Sequence, residues 1–369
     1  MKVVDPAIAT AFGVEGSLGI AFHDDPVLGT VMYLSPGAGT VFDSGRFLSI
    51  VRLTDDDGDG NWGEPGEVNQ AIVNNVQAQG RGGHQINQMQ VLHDLLFVAI
   101  GSRTQNGGIT TPLRGDQSWI GEHAYTGAVN LIADLTALSN DTTTPNVAGF
   151  NIANHRTDTQ TLVSIDPSKL RVFSTGFRNN YGIAITDGGQ IWVTMNQNED
   201  PTLPDELHRT TFRDDHGFPK ANNEVGDWKD PGNTHRSAQA AQGAGFFQNS
   251  LAPVALLGDH SVAGGLDFVT TNPAFMDHAI IARWKFGDVV AVDPAGTNVT
   301  TIATNFNHPL DVLADANGNL LIGEGAFGTS RIFRIDVVPA PEPSIIVLVV
   351  SSVVALRTRK DARPRSEGV

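Results

Sequence analysis

A pair of short apolar strands recurs about five times along the chain. Each copy opens with a Gly-aliphatic-x-aliphatic segment, continues through a turn such as Asp187-Gly188-Gly189, and ends in a second aliphatic run. The copies span Ser17–Ser35, Gly83–Gly101, Asn180–Met195, Gly264–Trp284 and Asn307–Glu324. A repeated β unit with long, irregular connections is typical of a β-propeller, in which each unit forms one blade. A β-sandwich and a β-helix are the competing all-β architectures.

The composition agrees with an all-β fold and excludes several kinds of site. The 369 residues include 40 Gly and 19 Pro, which supply many turns. The chain has no Cys, which excludes disulfides, thiolate catalysis and iron–sulfur clusters. Because the net charge is −16, the chain would repel a phosphate backbone, and we expect no nucleic-acid partner. The candidates for helical periodicity are Glu67–Val76 and the C-terminal apolar run.

The C-terminal tail differs in composition from the rest of the chain. Pro341-Glu342-Pro343 precedes the almost continuously apolar run Ser344–Leu356, and a cluster of Arg and Lys follows. A run of about 13 residues is shorter than the roughly 20 that a membrane-spanning helix needs. We therefore predict a short apolar helix that contacts a membrane transiently through residues 344–356. A marginal transmembrane tail and a buried terminal helix are the alternatives. The predicted domains are a propeller at 1–337 and a tail at 338–369.

This order of Pro-Glu-Pro, apolar run and basic end resembles the PEP-CTERM sorting signal of Gram-negative bacteria. The resemblance implies an exported protein at the cell surface or outside the cell, with an exosortase that reads and removes the tail. Residues 1–13 carry no visible signal peptide. Since exosortase substrates must first be exported, we expect that the N-terminus of this sequence is incomplete.

Three ordered segments resemble the soluble, quinone-dependent glucose/sorbosone dehydrogenase family. The first is Gly83-His84-Gln85, whose strand pair ends at Ile100-Gly101. The second is Gly176-Phe177-Arg178-Asn179-Asn180-Tyr181-Gly182, followed by Pro204-Asp205-Glu206-Leu207 and Gly217-Phe218-Pro219. The third is Ala282-Arg283-Trp284-Lys285-Phe286-Gly287. The resemblance covers about residues 14–337. It implies a six-bladed propeller whose first blade, before the repeat at Gly19, is missing from this sequence.

The resemblance also implies a site at one mouth of the propeller channel. His84 matches the base that takes a proton from a sugar hydroxyl while hydride passes to pyrroloquinoline quinone. The positions that match the quinone-binding residues are Arg178, Asn179 and Lys285. The positions at the strand end that binds catalytic Ca²⁺ in the family are Asn196 and Gln197. From the residues alone, a structural His, an ion-paired Arg, an edge-exposed Lys and an ordinary amide-rich turn remain open.

Two departures from the family pattern bear on activity. Ser102 stands where the family has an Asp that orients the catalytic His, and a hydroxyl does not stabilise an imidazolium as a carboxylate does. His308-Pro309-Leu310 stands where the family presents arginines to the quinone carboxylates. The resemblance implies oxidation of an aldose or other polyol. The departures keep open a non-catalytic surface propeller that binds a glycan or a matrix component.

An acidic loop forms a second, independent candidate site. Asp55, Asp57, Asp59 and Gly60 occupy positions one, three, five and six of an EF-hand-type loop. Gly66 stands at position twelve, where a complete loop has Glu. Because three carboxylates so close together repel one another without a cation, we predict a Ca²⁺ site here. The alternative is an acidic solvated turn.

Overall fold

The computed structural model describes most of the repeat region and several shorter segments. The described residues are 3–4, 19–35, 41–42, 45–78, 84–102, 126–140, 148–150, 162–165, 170–197, 203–217, 251–326, 329–338 and 347–356. They form five sheets, together with a two-stranded parallel ribbon.

The first sheet is the largest. Its strands and those of the parallel ribbon are β1 (Val3–Val4), β2 (Gly19–Asp25), β3 (Gly29–Ser35), β4 (Val41–Phe42), β5 (Gly45–Thr54), β6 (Asn61–Trp62), β7 (Asn69–Ala78), β11 (Ala148–Phe150) and β12 (Leu162–Ile165). The sheet order is β12-β11-β7-β5-β3-β2, with β4 beside β5, and the ribbon consists of β1 and β6.

Each of the other four sheets has four antiparallel strands in chain order. The second consists of β8 (Ile86–Leu92), β9 (Leu95–Ile100), β10 (Ala128–Ala133) and β13 (Leu170–Thr175). The third consists of β14 (Asn179–Ile185), β15 (Ile191–Asn196), β16 (Pro204–Thr210) and β17 (Ala255–Asp259). The fourth consists of β18 (Ala263–Phe268), β19 (Ala279–Arg283), β20 (Asp288–Val292) and β21 (Val299–Thr304). The fifth consists of β22 (Pro309–Ala314), β23 (Leu320–Ala326), β24 (Thr329–Val338) and β25 (Val347–Leu356). A short helix, α1 (Leu135–Asn140), follows β10.

These sheets are the blades of a propeller, as the repeat predicted. The first strands of successive blades pack side by side: β2 on β8, β8 on β14, β14 on β18, and β18 on β22. Apolar residues of adjacent blades fill the spaces between them, for example Trp192 and Leu207 of the third blade with Ile281 of the fourth. Each sequence repeat is the first strand pair of one blade. The described residues contain five blades, and no sixth is among them.

The glycines of the repeat allow the inner strands to approach closely. A Cβ on Gly19 would come within 3.0 Å of the backbone oxygen of Asn87 in the next inner strand. The same holds for Gly182 against the Gly264 oxygen, and for Gly264 against the Leu310 oxygen. Real Cβ atoms essentially never come so close to another heavy atom. The Gly-aliphatic-x-aliphatic pattern therefore reflects close backbone contact around the propeller axis.

Two predicted helices are strands in the structure. Within the C-terminal apolar run, residues 347–356 form β25, which pairs with β24 from Ser330↔Leu356 to Val338↔Val347 as the outermost strand of the fifth blade, and residues 344–346 lie outside the described part of the chain. Five of its ten residues are Val, whose branched Cβ favours strands, and β24 offers an edge to pair with. Within the described residues, no helix has the length and apolar character needed to span a membrane.

The segment Glu67–Val76 lies largely in β7. Val68, Ile72 and Val76 recur every four residues, which fits a helix but also one face of a strand, because four is a multiple of the strand period of two. β7 pairs with β5, and Ile72 and Val73 are both buried. Pairing within the first blade therefore decided between two structures that the spacing could not separate.

Polar side chains tie the inner strands together. Gln88 of β8 accepts from the Ile183 backbone N–H at 2.9 Å and donates to Asp311 Oδ1 at 3.0 Å. Asp267 of β18 accepts from the Ala314 backbone N–H at 2.8 Å. The carboxyl group of Asp311, which Gln88 contacts, also interacts electrostatically with Asp267 and Tyr181. Desolvation raises the pKa of Asp311 to about 7, and the charge of Asp267 contributes to the rise.

This raised pKa predicts that propeller stability falls as pH rises. Asp311 ionises near its ordinary pKa of 3.8 in the unfolded chain but holds its proton up to about pH 7 in the folded protein. Asp311 therefore makes its full contribution to the free energy of unfolding below about pH 4, and that contribution is lost as the pH rises towards 7. Because part of the residue still faces water, which screens its charge, we expect a loss of only about 1 kcal/mol.

The measurement compares urea unfolding of the wild type and Asp311→Asn between pH 4 and pH 8. The substitution should flatten the pH dependence, since Asn keeps an oxygen that can accept from Gln88 but does not ionise. Parallel pH profiles for the two proteins would contradict the assignment.

Candidate functional site

Most of the predicted site residues lie at one end of the propeller. His84 and Arg178 stand just before the inner strands β8 and β14, and Gln197 follows β15. Lys285 follows β19 in the next blade. Because the first two strands of each blade are antiparallel, the start of the first and the end of the second meet at the same edge. The repeat thereby places these residues around one mouth.

His84 is held in place by Ser102. Its Nδ1 lies 3.0 Å from the Ser102 backbone oxygen and 2.8 Å from Ser102 Oγ. A carbonyl oxygen only accepts, so the bond to it assigns the hydrogen to Nδ1 and the lone pair to Nε2. Burial lowers the pKa of His84 well below 6.5, and the positive charge of Arg178 lowers it further. The imidazole is therefore neutral near pH 7 and can accept a proton, although as a weak base.

Arg178 joins the second blade to the third. Its backbone oxygen accepts from the Ser102 N–H at 2.6 Å, and Nη1 donates to the Gln197 backbone oxygen at 2.6 Å. The Asn196 backbone oxygen is 3.5 Å from the same Nη1. With only 4% of its surface exposed, the side chain is a buried cation directed at the end of β15.

Asn179 lies close to His84 because of a glycine between them. A Cβ on Gly101 would be 2.5 Å from His84 Cβ and 2.9 Å from Asn179 Oδ1. Asn179 Oδ1 accepts from Asn87 Nδ2 at 3.0 Å, which anchors it to the second blade. The absence of a side chain at Gly101 therefore brings the predicted base and a predicted quinone-binding residue together.

The end of β15 carries oxygen atoms that suit a hard cation. Asn196 is 6% exposed, and its Oδ1 is buried without a hydrogen-bond partner in the described structure. The backbone oxygen of Gln197 is bonded to Arg178, while its side-chain Nε2 donates to Glu206 Oε2 at 2.7 Å. This leaves the side-chain oxygens of Asn196 and Gln197 as the ligands that fit Ca²⁺.

Lys285 is beside this group but not part of it. Its side chain is exposed, and its backbone N–H donates to the Ser261 oxygen at 3.0 Å. Among the described residues, no hydrogen bond or ion pair joins its ammonium to His84 or Arg178. The structure thus brings His84, Arg178, Asn179, Asn196 and Gln197 together and leaves Lys285 at the rim in the next blade.

Asp205 is a site residue to which sequence reasoning assigned no role. Its carboxyl is fully buried and accepts from the Gln197 N–H at 2.8 Å and from Ser261 Oγ at 3.0 Å. Burial raises the pKa of Asp205, and its hydrogen bonds oppose that rise. It therefore connects the end of β15 to the fourth blade. The segment Pro204-Asp205-Glu206-Leu207 drew attention to Asp205 in the sequence. Its role was missed because its hydrogen-bond partners lie eight and 56 residues away along the chain.

The acidic loop lies at the opposite end of the first blade. β5 ends at Thr54, which pairs with Val31 near the β2–β3 turn. At the other end of β3, Ser35 donates to the Ile86 backbone oxygen, next to the mouth. Ligand oxygens of Asp55, Asp57 and Asp59 lie within 4.8 Å of one another. The structure thus brings the three predicted carboxylates together, far from His84 along the blade.

Glu67 braces this loop. Its Oε1 accepts from the Asp56 N–H at 2.7 Å, and its Oε2 accepts from the Glu64 N–H at 2.9 Å. The carboxylate one residue beyond position twelve therefore shapes the loop through its backbone.

Comparison with known proteins reveals similarity in structure. No family model and no curated protein matches the chain in sequence. A glucose dehydrogenase from Thermus thermophilus superposes with a TM-score of 0.55 at 16% identity, covering 88% of this chain and 84% of that one. The PQQ-bound aldose sugar dehydrogenase of Streptomyces coelicolor superposes with a TM-score of 0.53 at 15% identity, covering 86% and 79%.

The soluble aldose sugar dehydrogenase of Escherichia coli, in its apo form, superposes with a TM-score of 0.52 at 14% identity, covering 84% of this chain and 93% of that one. Likeness at this level of identity shows the fold. The chain is an all-β propeller with the fold of the soluble glucose dehydrogenase-like proteins.

Proposed function

We propose that the protein is a sugar dehydrogenase that oxidises an aldose or another polyol at the His84 mouth. The observation that carries this proposal is the contact between His84 Nδ1 and the Ser102 backbone oxygen at 3.0 Å. It leaves a neutral imidazole with Nε2 as proton acceptor, next to a buried guanidinium. A base that removes the hydroxyl proton, beside a cation that attracts an anionic cofactor, is the pairing that polyol oxidation needs.

Pyrroloquinoline quinone, when bound, would accept the hydride from the sugar carbon. Arg178, Asn179 and Lys285 would hold it, since guanidinium and ammonium groups complement its carboxylates. Asn196 and Gln197 would supply neutral oxygens to a Ca²⁺ ion beside it. His84 would take the hydroxyl proton on Nε2, while Ser102 keeps the ring in place.

The test adds the quinone and Ca²⁺ to the purified protein with an electron-accepting dye and a panel of aldoses. Dye reduction that requires sugar, quinone and Ca²⁺ together is the expected result. The matched control is the same mixture without quinone. If no sugar reduces the dye although the quinone binds, the proposal is wrong.

A second candidate function is a non-catalytic surface propeller that binds a glycan or a matrix component. It is favoured by the hydroxyl of Ser102 in place of a carboxylate and by the exposed ammonium of Lys285, which is not joined to the His84 group. Saturable glycan binding without dye reduction would support this function over oxidation.

We further propose that the acidic loop binds Ca²⁺, supported by the three clustered carboxylates. Calorimetric titration should show a site with a Kd of about 10⁻⁴ to 10⁻³ M, the range of extracellular calcium modules. Asp57→Asn should weaken this binding at least tenfold because it removes one of three ligand charges. Asp187→Asn, in the exposed turn of the third blade, is the matched control. Equal titrations for the wild type and Asp57→Asn would contradict the site.

For localisation, we propose export to the cell surface followed by exosortase removal of the tail. Because β25 lies in the tail, removal of the tail would also remove the outermost strand of the fifth blade. The mass of the protein isolated from the surface of its own cells tests this proposal. A mature form that retains residues 347–356 would contradict it.

A further inference from the structure

A chain of buried polar side chains runs from Gln197 along the third blade. Gln197 Nε2 donates to Glu206 Oε2 at 2.7 Å, and the same oxygen lies 2.9 Å from His208 Nε2. His208 Nδ1 is 3.0 Å from His216 Nδ1, and His216 Nε2 is 2.9 Å from Thr210 Oγ1. None of the five residues is more than 8% exposed. Every link is therefore a protein hydrogen bond made out of contact with bulk water.

The Glu206 carboxylate, together with neutral imidazole rings, determines where each hydrogen in this chain sits. Glu206 Oε2 only accepts, so His208 Nε2 must carry a hydrogen. With His208 taken as neutral, a premise that the experiment below tests, its Nδ1 accepts and His216 Nδ1 must donate to it. His216 Nε2 is left to accept from the Thr210 hydroxyl. Each ring thus has one tautomer that satisfies its neighbours on both sides.

The surroundings of His216 hold its ring neutral and in place. Burial lowers the pKa of His216 to about 2. The ring of Phe177 stacks on the His216 ring, with centroids 4.5 Å apart and planes 26° apart. Phe177 immediately precedes Arg178. The His216 end of this hydrogen-bonded chain, which we call the relay, therefore packs beneath the mouth.

The same carboxylate determines how the Gln197 amide is oriented. If the amide were turned over, Oε1 would face Glu206 Oε2, and two acceptors would meet in a buried space with no hydrogen between them. The donor Nε2 must therefore face Glu206, and Oε1 must face away from it. His208 donates to the same carboxylate oxygen and holds it in position for Gln197.

We propose that Glu206, held by the His208–His216 relay, is a positioning residue that sets the orientation of the Gln197 amide. In this orientation, the Gln197 side chain presents an oxygen, and not an N–H, to whatever binds at the end of β15. Only the use of that oxygen for a cation rests on the proposed function. The orientation and the two tautomers are properties of the protein alone.

The experiment is ¹⁵N-resolved NMR of the full chain at pH 7, with no sugar, quinone or metal added. Protonated and bare ring nitrogens have well-separated ¹⁵N shifts, which identify the tautomer of each His. We expect the hydrogen on Nε2 of His208 and on Nδ1 of His216. The opposite tautomer at either ring, or a cationic ring at either position, would overturn the relay.

A variant tests the orientation separately. Glu206→Leu removes the shared acceptor, so the side-chain N–H groups of Gln197 should exchange with solvent at least tenfold faster than in the wild type. The same variant should remove the fixed tautomer of His208. His278→Gln is the matched control, because His278 bonds the Met276 oxygen outside the relay. Unchanged Gln197 exchange in a folded Glu206→Leu protein would overturn the positioning role.

The wild-type tautomers need no variant, so they test the relay even if Glu206→Leu fails to fold. They also separate this inference from the proposed function. If the tautomers are as expected and no sugar is oxidised, the relay stands and the dehydrogenase assignment falls. If sugar is oxidised while the tautomers differ, the reverse holds.

Discussion

Replacing Gly264 by alanine is expected to destabilise the propeller by about 2–3 kcal/mol, the usual cost of forcing extra atoms into a packed core. The new Cβ would lie within 3.0 Å of the Leu310 backbone oxygen, and the Ala282 backbone oxygen would be 3.4 Å away. Backbone atoms cannot rotate aside as a flexible side chain does. The inner strands β18 and β22 would therefore have to separate. Urea unfolding followed by circular dichroism measures the loss.

Gly188→Ala is the matched control for this experiment. Gly188 lies in the β14–β15 turn, and the nearest neighbour of a Cβ there would be Thr186 Oγ1 at 3.8 Å, which is ordinary contact. We expect a change of less than about 0.5 kcal/mol. If both glycines tolerate alanine equally, close approach of the inner strands is not what requires glycine in the repeat.

Replacing His84 by glutamine is expected to reduce the rate of sugar-dependent dye reduction by at least about 100-fold, the lower range for loss of a general base. Glutamine keeps a polar side chain of similar reach, but its amide does not accept a proton near pH 7. Sugar affinity should change much less, since the loss falls on proton transfer. Initial rates with quinone and Ca²⁺ at saturation measure the effect.

Ser102→Ala is the matched control for the base. It removes the hydroxyl but leaves the backbone oxygen that assigns the hydrogen to His84 Nδ1. We expect less than about a tenfold loss, in line with one neutral hydrogen bond. A His84→Gln protein that retains the wild-type rate would show that His84 is not the base. The mouth would then be better interpreted as a binding surface.

The sequence predicted the fold well because the propeller repeats a local pattern. The five repeats correspond to the first strand pairs of the five blades. Turn residues and alternating apolar residues act over a few positions, so they can be read without knowing the rest of the structure. The sequence did not show why the repeats contain glycine, because the backbone atoms that these glycines approach belong to the next blade.

The same locality explains the errors in secondary structure. Neither Glu67–Val76 nor Ser344–Leu356 contains the strand it pairs with, and an apolar run or a spacing of four fits a helix equally well. Pairing with β5 and β24 decided both cases. The short helix α1 went unpredicted because its first N–H groups depend on Asp94, 42 residues before Thr136, whose N–H donates to Asp94 Oδ1 at 2.7 Å.

By itself, the sequence determined the all-β class, the repeated blade and the chemical types of the candidate site residues, since all three follow from local composition and spacing. Tertiary structure decided which of those residues meet. It placed His84 against Ser102, directed Arg178 to the end of β15, left Lys285 at the rim, and joined Gln197 to Glu206. These contacts arise from the packing of one blade on the next and of strands within a blade, so their atoms come within hydrogen-bond distance only after the sheets have assembled.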